Sequence, residues 1–512
     1  MKEKDLLQKL QNDVHKILIY GAGMVGSLVF HRLLAGGILK ERIAFIVSHK
    51  EQKNDTFLGQ NIFDIHDNKV FFENAHIIVS TLPGAHQSMI NTLHENNYYD
   101  FDIVDNSLFE EMEKLYVAKH NQEYPVTNNT KDILFMASDN NCSSGAFLCM
   151  VDLNCELNKR GIPTLVVLPS YGSGEELLRS NHIDYTYILS KDWLIKNGDF
   201  GEKDFEHNNV AIRSIQELIK KCRIKLLHNN TTYTYIGAVA AKKENIPVVW
   251  HLREYIKEQG YWFYDEEKAF QLINCSDAVI VVSDYIRISY KKLQSSIVHK
   301  IYDGVDTETF YCKNHSLMTE EKVKILMPGM ITTLKGQKQL LEAALLLKQQ
   351  KCDQFEIVFV GNEEPKYGNE LKMYIAENEL EDNVSFYSRS REIAKWYLWA
   401  DIVVVCSGAE AFGRVAVEAQ LSGCLVIGAD KGATVEIIED KRTGYLYQYG
   451  NTQDLALKIK KAIHDKKSTQ KMAELGREKV KRLFTKEYNA DEVIKVYEQI
   501  LKGRSNERKY TL

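Results

Sequence analysis

Short, continuous apolar runs that each enter a turn of small residues and then a helix recur along this chain, and they constrain its fold more than any other feature. Three of them open larger units: Lys16-Ile17-Leu18-Ile19-Tyr20 before Gly21, Ile133-Leu134-Phe135-Met136-Ala137 before a Ser143-Ser144-Gly145 turn, and Lys324-Ile325-Leu326-Met327-Pro328 before Gly329. An uninterrupted apolar strand followed by a helix belongs to a parallel sheet covered on both faces. Strands are expected over 43–47, 76–81 and 101–104 in the first unit, and over 164–168, 224–228, 247–251 and 278–282 in the second. The third is expected to add 356–360, 384–387, 402–406 and 425–428. Repeated strand–helix alternation of this length predicts an α/β chain of doubly wound parallel sheets, with ligand crevices at the carboxyl ends of the strands.

At 512 residues the chain exceeds one ordinary core, so two to four domains are expected. A polar stretch near 119–131 separates the first unit from the second, and the expected domains are 1–125, 131–306, 307–485 and a final helix over 486–512. A composition of 44% hydrophobic and 26% charged residues is that of a globular protein. The formal net charge of −5 lacks the basic signature of a nucleic-acid binder. No apolar run approaches the ~20 residues of a spanning helix, and Met1-Lys2-Glu3-Lys4-Asp5 leads into a polar helix instead of a signal-peptide core, so a cytoplasmic protein is expected. The nine cysteines stand singly, with no C-x-x-C pair to suggest a metal site.

The first unit carries Gly21-Ala22-Gly23-Met24-Val25-Gly26, a G-x-G-x-x-G turn. Its usual companion is an acidic residue at the end of the second strand that holds a ribose, and here the chain reads Val47-Ser48-His49-Lys50. Lys50 could suit a phosphorylated ribose, or the glycines could simply let helix and strand pack closely. Gly21, Gly23 and Gly26 are therefore an accessory nucleotide site only in outline, and NAD(P) is not the expected ligand.

The chemistry concentrates in Ser407-Gly408-Ala409-Glu410-Ala411-Phe412-Gly413-Arg414-Val415-Ala416-Val417-Glu418. Glu410 falls in a loop behind a strand, and a mostly apolar helix is expected over 412–421. A carboxylate within such a helix needs a partner, because an unpaired buried charge costs at least several kcal/mol. Arg414, four residues earlier, could pair with Glu418 as an ordinary helical neighbour. In the functional reading Glu418 instead accepts both hydroxyls of a ribose, Glu410 accepts hydroxyls of a sugar, and the helix N-terminus at Phe412, Gly413 and Arg414 faces a diphosphate. A second phosphate-facing helix start is expected at Thr434, after Lys431-Gly432-Ala433, where Glu436 reads equally as a first-turn glutamate.

Glu410 and Glu418, separated by seven residues, resemble the E-x7-E motif of family 4 glycosyltransferases with the GT-B fold. Asp277–Ser283, Ile301-Tyr302-Asp303-Gly304-Val305-Asp306 and Lys335-Gly336 resemble further phrases of that family, in its order, over about residues 132–500. The resemblance implies two Rossmann-like domains facing a cleft, preceded here by a third Rossmann-like domain similar to modules on bacterial polysaccharide enzymes. It implies Gly329, Lys335 and Gly336 as a diphosphate loop, with Met330 standing where the family has an arginine, and Arg253 or Arg414 as compensating cations. It also implies Ser143, Ser144 and Gly145 as the loop beneath donor diphosphate and acceptor, and His251 and Arg253 at a strand end facing the sugar. His228 reads equally as a core histidine. The last helix is expected to cross back to the preceding domain.

The implied reaction is transfer of a sugar, with retention, from a nucleotide-diphosphate sugar to a hydroxyl of a glycan or lipid-linked acceptor in bacterial surface polysaccharide synthesis. A UDP-sugar is the expected donor, with no metal or other cofactor required. Glu410, His251, Arg253 and Lys335 are the expected catalytic group. The lysine-rich final helices offer a peripheral contact to anionic lipid, although a solvated face accounts for them as well. Two rival readings are an oxidoreductase acting on sugar nucleotides through Gly21–Gly26, and a non-catalytic nucleotide-sugar scaffold.

Overall fold

The computed structural model describes residues 2–48, 56–66, 75–81, 83–127, 130–196, 200–390 and 392–510. Lys50, weighed above as one of two alternatives for the glycine turn, lies outside them. Among the described residues the chain forms three large sheets, each built around a parallel core. The first runs Thr56–Phe57, Gln60–Asp64, Ile43–Val47, Ile17–Tyr20, His76–Val79, Phe101–Ile103, with an antiparallel hairpin at one edge. The second runs Val298–Lys300, Ala278–Val281, Val248–Leu252, Leu226–Asn230, Ile133–Met136, Thr164–Leu168, Tyr185–Tyr187. The third runs Val384–Tyr387, Phe355–Val360, Val323–Pro328, Ile402–Val405, Leu425–Ala429, Tyr445–Tyr447. Each central strand is apolar because helices cover both of its faces; Ile17–Tyr20, Ile133–Met136 and Ile402–Val405 are buried throughout.

Several strands at or beside the sheet edges escaped the sequence reading. Thr56–Phe57, Gln60–Asp64 and Val298–Lys300 are partly exposed and mixed in polarity, so they lack the apolar run that marks an interior strand. One register also shifts: the strand expected over 224–228 is Leu226–Asn230, which places His228, Asn229 and Asn230 inside the sheet and fully buried instead of at its end. The helix expected over 412–421 begins at Arg414, because Gly413 takes a left-handed conformation (φ 93°) that a side chain would resist.

The second and third sheets turn their carboxyl edges toward each other. Ser283, just past Ala278–Val281, donates its hydroxyl to the Ala411 carbonyl past Ile402–Val405 at 2.5 Å. Arg389, past Val384–Tyr387, donates to the Cys142 carbonyl past Ile133–Met136 at 2.9 Å. The chain crosses between the lobes twice, side by side. Val305 and Thr485 pair in a parallel bridge, and a Cβ on Gly304 would lie 2.4 Å from the Lys486 Cα. The helix Lys486–Tyr510 then leaves the third sheet to lie on the helix Gly145–Lys159 of the second lobe. There the Tyr497 hydroxyl meets His228 Nδ1 at 2.6 Å, Asn489 donates to the Tyr302 carbonyl at 2.7 Å, and Arg160 pairs with Asp491 at 3.0 Å.

Candidate active site

Glu410 occupies the loop at the carboxyl end of Ile402–Val405, where the third sheet's strand order turns outward from its two central strands. Lys335 reaches it from the neighbouring strand's loop, with Nζ 2.6 Å from Oε1. Burial pushes the Glu410 carboxyl up, but the Lys335 charge and hydrogen bonds from Lys335 and Ser407 outweigh it and hold the group below its ordinary value. The lysine side chain is 36% exposed and the glutamate 13%, so this carboxylate is ionised, anchored and reachable from solvent. Its backbone is fixed as well. The Ala433 amide donates to the Glu410 carbonyl at 2.7 Å, and left-handed Gly432 approaches so closely that a Cβ there would sit 2.9 Å from the Glu410 nitrogen.

Gly329 and Gly336, the other diphosphate-loop candidates, are both left-handed (φ 124° and 78°). A Cβ on Gly329 would meet nothing within 4 Å, whereas one on Gly336 would crowd Gln339 and the Cys406 carbonyl. Gly329 thus leaves open space at the strand end, and Gly336 serves the tight entry into the helix Gln337–Gln349. Met330 is 60% exposed beside them. Thr434 begins the short helix Thr434–Ile437, is fully buried, and its hydroxyl has no partner among the described residues.

Glu418 is held otherwise. Arg414 Nε donates to one carboxylate oxygen at 2.8 Å and the Tyr397 hydroxyl to the other at 2.9 Å. Burial pushes the carboxyl above its ordinary value while Arg414 and Tyr397 pull it back. Arg414 also spans the lobes, with Nη1 at 3.2 Å from Asp152 on Gly145–Lys159. The ordinary helical pairing is therefore realised, but inside a buried triad. Asp152 and Tyr397 were missed from the sequence because nothing local marks a partner that arrives from another lobe or another helix. Phe412 is buried too, against Tyr302 and Phe484, so it packs the crossover and is not a free face for a ligand.

The two cations expected to compensate for Met330 are already engaged. Arg253 is 6% exposed and donates to Asp303, to Asn230 at 2.8 Å and to His251 Nδ1 at 3.2 Å. A buried guanidinium with these partners is a structural tie beneath the cleft, and it is not free to meet departing phosphate charge. Asp303, on the crossing segment between the lobes, is what fixes it there. His251 is fully buried, its Nε2 lacks a hydrogen-bond partner among the described residues, and burial drives its pKa well below the ordinary value. It is a neutral imidazole.

Across the cleft, Ser144 caps the helix Gly145–Lys159. Its hydroxyl accepts from the Phe147 amide at 3.4 Å and donates to Asp139 at 3.0 Å. Ser143 donates its amide to the Asn141 side chain at 2.8 Å, and a Cβ on Gly145 would meet nothing within 4 Å. Glu436 proves to be more than a first-turn residue. Its carboxylate accepts the Asp284 and Tyr285 amides, each at 3.1 Å, and the Tyr302 hydroxyl at 3.0 Å, clamping the third sheet's lobe to the second. In the first unit, a Cβ on Gly26 would lie 2.0 Å from the Gly21 carbonyl oxygen and one on Gly21 would lie 2.6 Å from the Ser80 carbonyl oxygen. Those two glycines pack backbone on backbone, while Gly23 faces open space. The described residues contain no cluster of three or more metal-ligating side chains and no helix long and apolar enough to cross a membrane.

The chain matches two family models: "Glycosyltransferase Family 4" over residues 143–309 and "Glycosyl transferases group 1" over residues 313–479. Among similar proteins, alpha-maltose-1-phosphate synthase of Mycobacterium tuberculosis is 27% identical over 311 residues, covering 54% of this chain and 79% of that enzyme. D-inositol 3-phosphate glycosyltransferase of Paenarthrobacter aurescens is 31% identical over 182 residues, 34% of this chain and 45% of that enzyme. The crystal structure of HepE from Anabaena in complex with UDP and glucose superposes with a TM-score of 0.61 at 23% identity, covering 72% of this chain and 99% of that one. That likeness fixes the fold: two Rossmann-like lobes facing a cleft, preceded here by a further Rossmann-like sheet. With paired carboxylates at the carboxyl edge of the third sheet's lobe and both family models matched in order, this chain belongs to the family 4 glycosyltransferases of the GT-B fold.

Proposed function

We propose that the chain transfers a sugar, with retention of anomeric configuration, from a UDP-sugar to a hydroxyl of a glycan or lipid-linked acceptor during surface polysaccharide synthesis at the cytoplasmic face of a bacterial membrane. The observation that carries this reading is the Lys335–Glu410 pair, a reachable ion pair at the carboxyl edge facing the second lobe. A diphosphate arriving over Gly329 meets Lys335, a cation whose side chain is 36% exposed and whose partner Glu410 is reachable from solvent. Lys335 can then share its charge between Glu410 and the phosphate oxygens, where leaving-group charge develops. Glu410, kept ionised, accepts hydroxyls of the transferred sugar and fixes its reactive face against the acceptor. Glu418, set deeper in the triad with Arg414 and Tyr397, offers a carboxylate edge to ribose hydroxyls.

UDP is favoured as the nucleotide because the structurally similar HepE holds it. Surface polysaccharide synthesis is supported by the added Rossmann-like sheet, which resembles modules on such enzymes. Isothermal titration of UDP, GDP, ADP and CDP, followed by turnover of the corresponding glucose donors, tests the reading. UDP binding that is lost in Lys335→Ala is expected; a preference for another nucleoside diphosphate corrects the donor, and binding indifferent to Lys335 removes the proposed site.

A further inference from the structure

The first sheet's unit touches the transferase lobes through one loop in particular, 170–174, which leaves the strand Thr164–Leu168 of the second sheet. Tyr171 is 6% exposed and packs into the first unit's core among residues such as Leu28 and Met112. Its hydroxyl lies 2.8 Å from the Ser27 hydroxyl, one residue past the glycine turn. Its amide donates to Glu113 at 2.8 Å, and its ring meets Tyr116 edge-on with centroids 4.7 Å apart. Glu113 and Tyr116 both lie on the helix Asn106–Glu123 of the first unit. The same few residues hold the candidate acceptor loop from the other side. Ser173 Oγ accepts the Cys142 amide at 3.2 Å, the Gly174 amide donates to the Asn140 carbonyl at 3.2 Å, and Asn140 returns a bond to the Ser170 carbonyl at 3.0 Å. The fit is close: a Cβ on Gly172 would sit 1.9 Å from the Asn140 carbonyl oxygen.

We infer that Tyr171 and Ser27 are positioning residues for the transferase, setting the shape of the 139–145 loop through the 170–174 segment, so that the first unit controls the acceptor side of the cleft. Tyr171 is anchored at its ring, hydroxyl and amide in one unit, and its neighbours two and three residues on are bonded to the loop that caps Gly145–Lys159. A displacement of the Tyr171 ring therefore moves Ser173 and Gly174 against Asn140 and Cys142, with little slack at Gly172. The donor-side groups Lys335, Glu410 and Glu418 lie in the other lobe and touch none of these residues. This inference rests on the transferase reading only for its kinetic consequence.

Cys142 is a built-in reporter. It is half-buried, and hydrogen bonds with Ser173 and the charge of Arg389 outweigh burial to hold its thiol below the ordinary value, which favours the reactive thiolate. The experiment follows iodoacetamide labelling of Cys142 by peptide mass mapping in the full chain without substrate, with exposed Cys275 as internal reference. Tyr171→Phe and Ser27→Ala each remove the same hydroxyl pairing, and each is expected to change the Cys142 rate in the same direction by roughly 2- to 10-fold. The double variant is expected to add nothing, because one bond is lost in all three. Gly172→Ala, which pushes on Asn140 directly, is expected to move the rate further. In kinetics with UDP-glucose, Tyr171→Phe is expected to lower kcat while the Kd for UDP holds, a split that general loosening of the fold would not produce. Unchanged Cys142 labelling in Tyr171→Phe and Ser27→Ala overturns the inference, as do additive effects or an equal loss of UDP affinity. Failure of the wild-type chain to bind UDP would sink the donor assignment and leave the labelling result to decide this point.

Discussion

Two strand–glycine–helix turns in this molecule look alike as sequence and differ as chemistry. Gly21–Gly26 opens the first sheet's unit; Ser407–Gly413 does the same work of entering a helix from a central strand in the third. In the first, two glycines exist because backbone meets backbone: Gly26 on the Gly21 carbonyl and Gly21 on Ser80. The end of the adjacent strand is closed by a Tyr20–Ser48 hydroxyl pair at 2.6 Å, at the place where a ribose-binding acid would stand. In the second, the turn carries Glu410 opposite Lys335 and feeds a helix whose Arg414 and Glu418 are tied across the lobes. Glycines make a turn possible, but the charges placed around it decide what it can bind.

Arg414→Ala should break the third-sheet turn most severely. It leaves buried Glu418 and partly exposed Asp152 without their shared cation; breaking a buried pair by removing one partner costs about 3–5 kcal/mol, and the exposure of Asp152 puts the loss at the low end of that range. Urea denaturation should show that loss, together with weaker UDP binding; a change below about 1 kcal/mol would mean that Tyr397 alone satisfies Glu418 and that the triad is not a structural element.

Glu410→Ala comes next and separates chemistry from stability. Removing a preorganised electrostatic group at a reacting centre typically costs about 100- to 1000-fold in kcat. Lys335 is freed by the substitution, so UDP affinity should hold or rise while turnover of UDP-glucose collapses. A parallel loss of both would instead make Glu410 a donor-binding group.

These outcomes bear on how much of the molecule its sequence made legible. The parallel sheets and the glycine turns could be read because each is local, an apolar run or a small-residue turn, and Glu410, Lys335 and Glu418 could be singled out as candidates by the family phrases they resemble. What could not be read is what those groups touch. Arg253 faces phosphate or Asp303 depending on a contact with the inter-lobe crossing fifty residues away in sequence. Arg414 depends on Asp152, and Glu436 looks like any first-turn glutamate until the Asp284 and Tyr285 amides are brought to it. Side-chain partners across a lobe boundary have no period and no spacing, so they emerge only from the packed structure.

The smallest effects belong to the first turn and sharpen the comparison there. Gly26→Ala should destabilise the first unit by about 1–3 kcal/mol, the ordinary range for overpacking a tight contact, since its Cβ would collide with the Gly21 carbonyl. Gly23→Ala should stay within about 0.5 kcal/mol of wild type, because its Cβ would meet nothing within 4 Å and its φ of −117° is open to any residue. The pair of variants, compared by chemical denaturation and by UDP-glucose turnover, isolates what the glycines are for. If Gly23→Ala leaves stability and turnover intact, the motif in this chain is a packing device, with Gly21 and Gly26 carrying it. If instead Gly23→Ala lowers turnover without lowering stability, the open face at Gly23 admits a ligand whose binding is felt in the transferase lobes, and the two turns are less different than their charges make them.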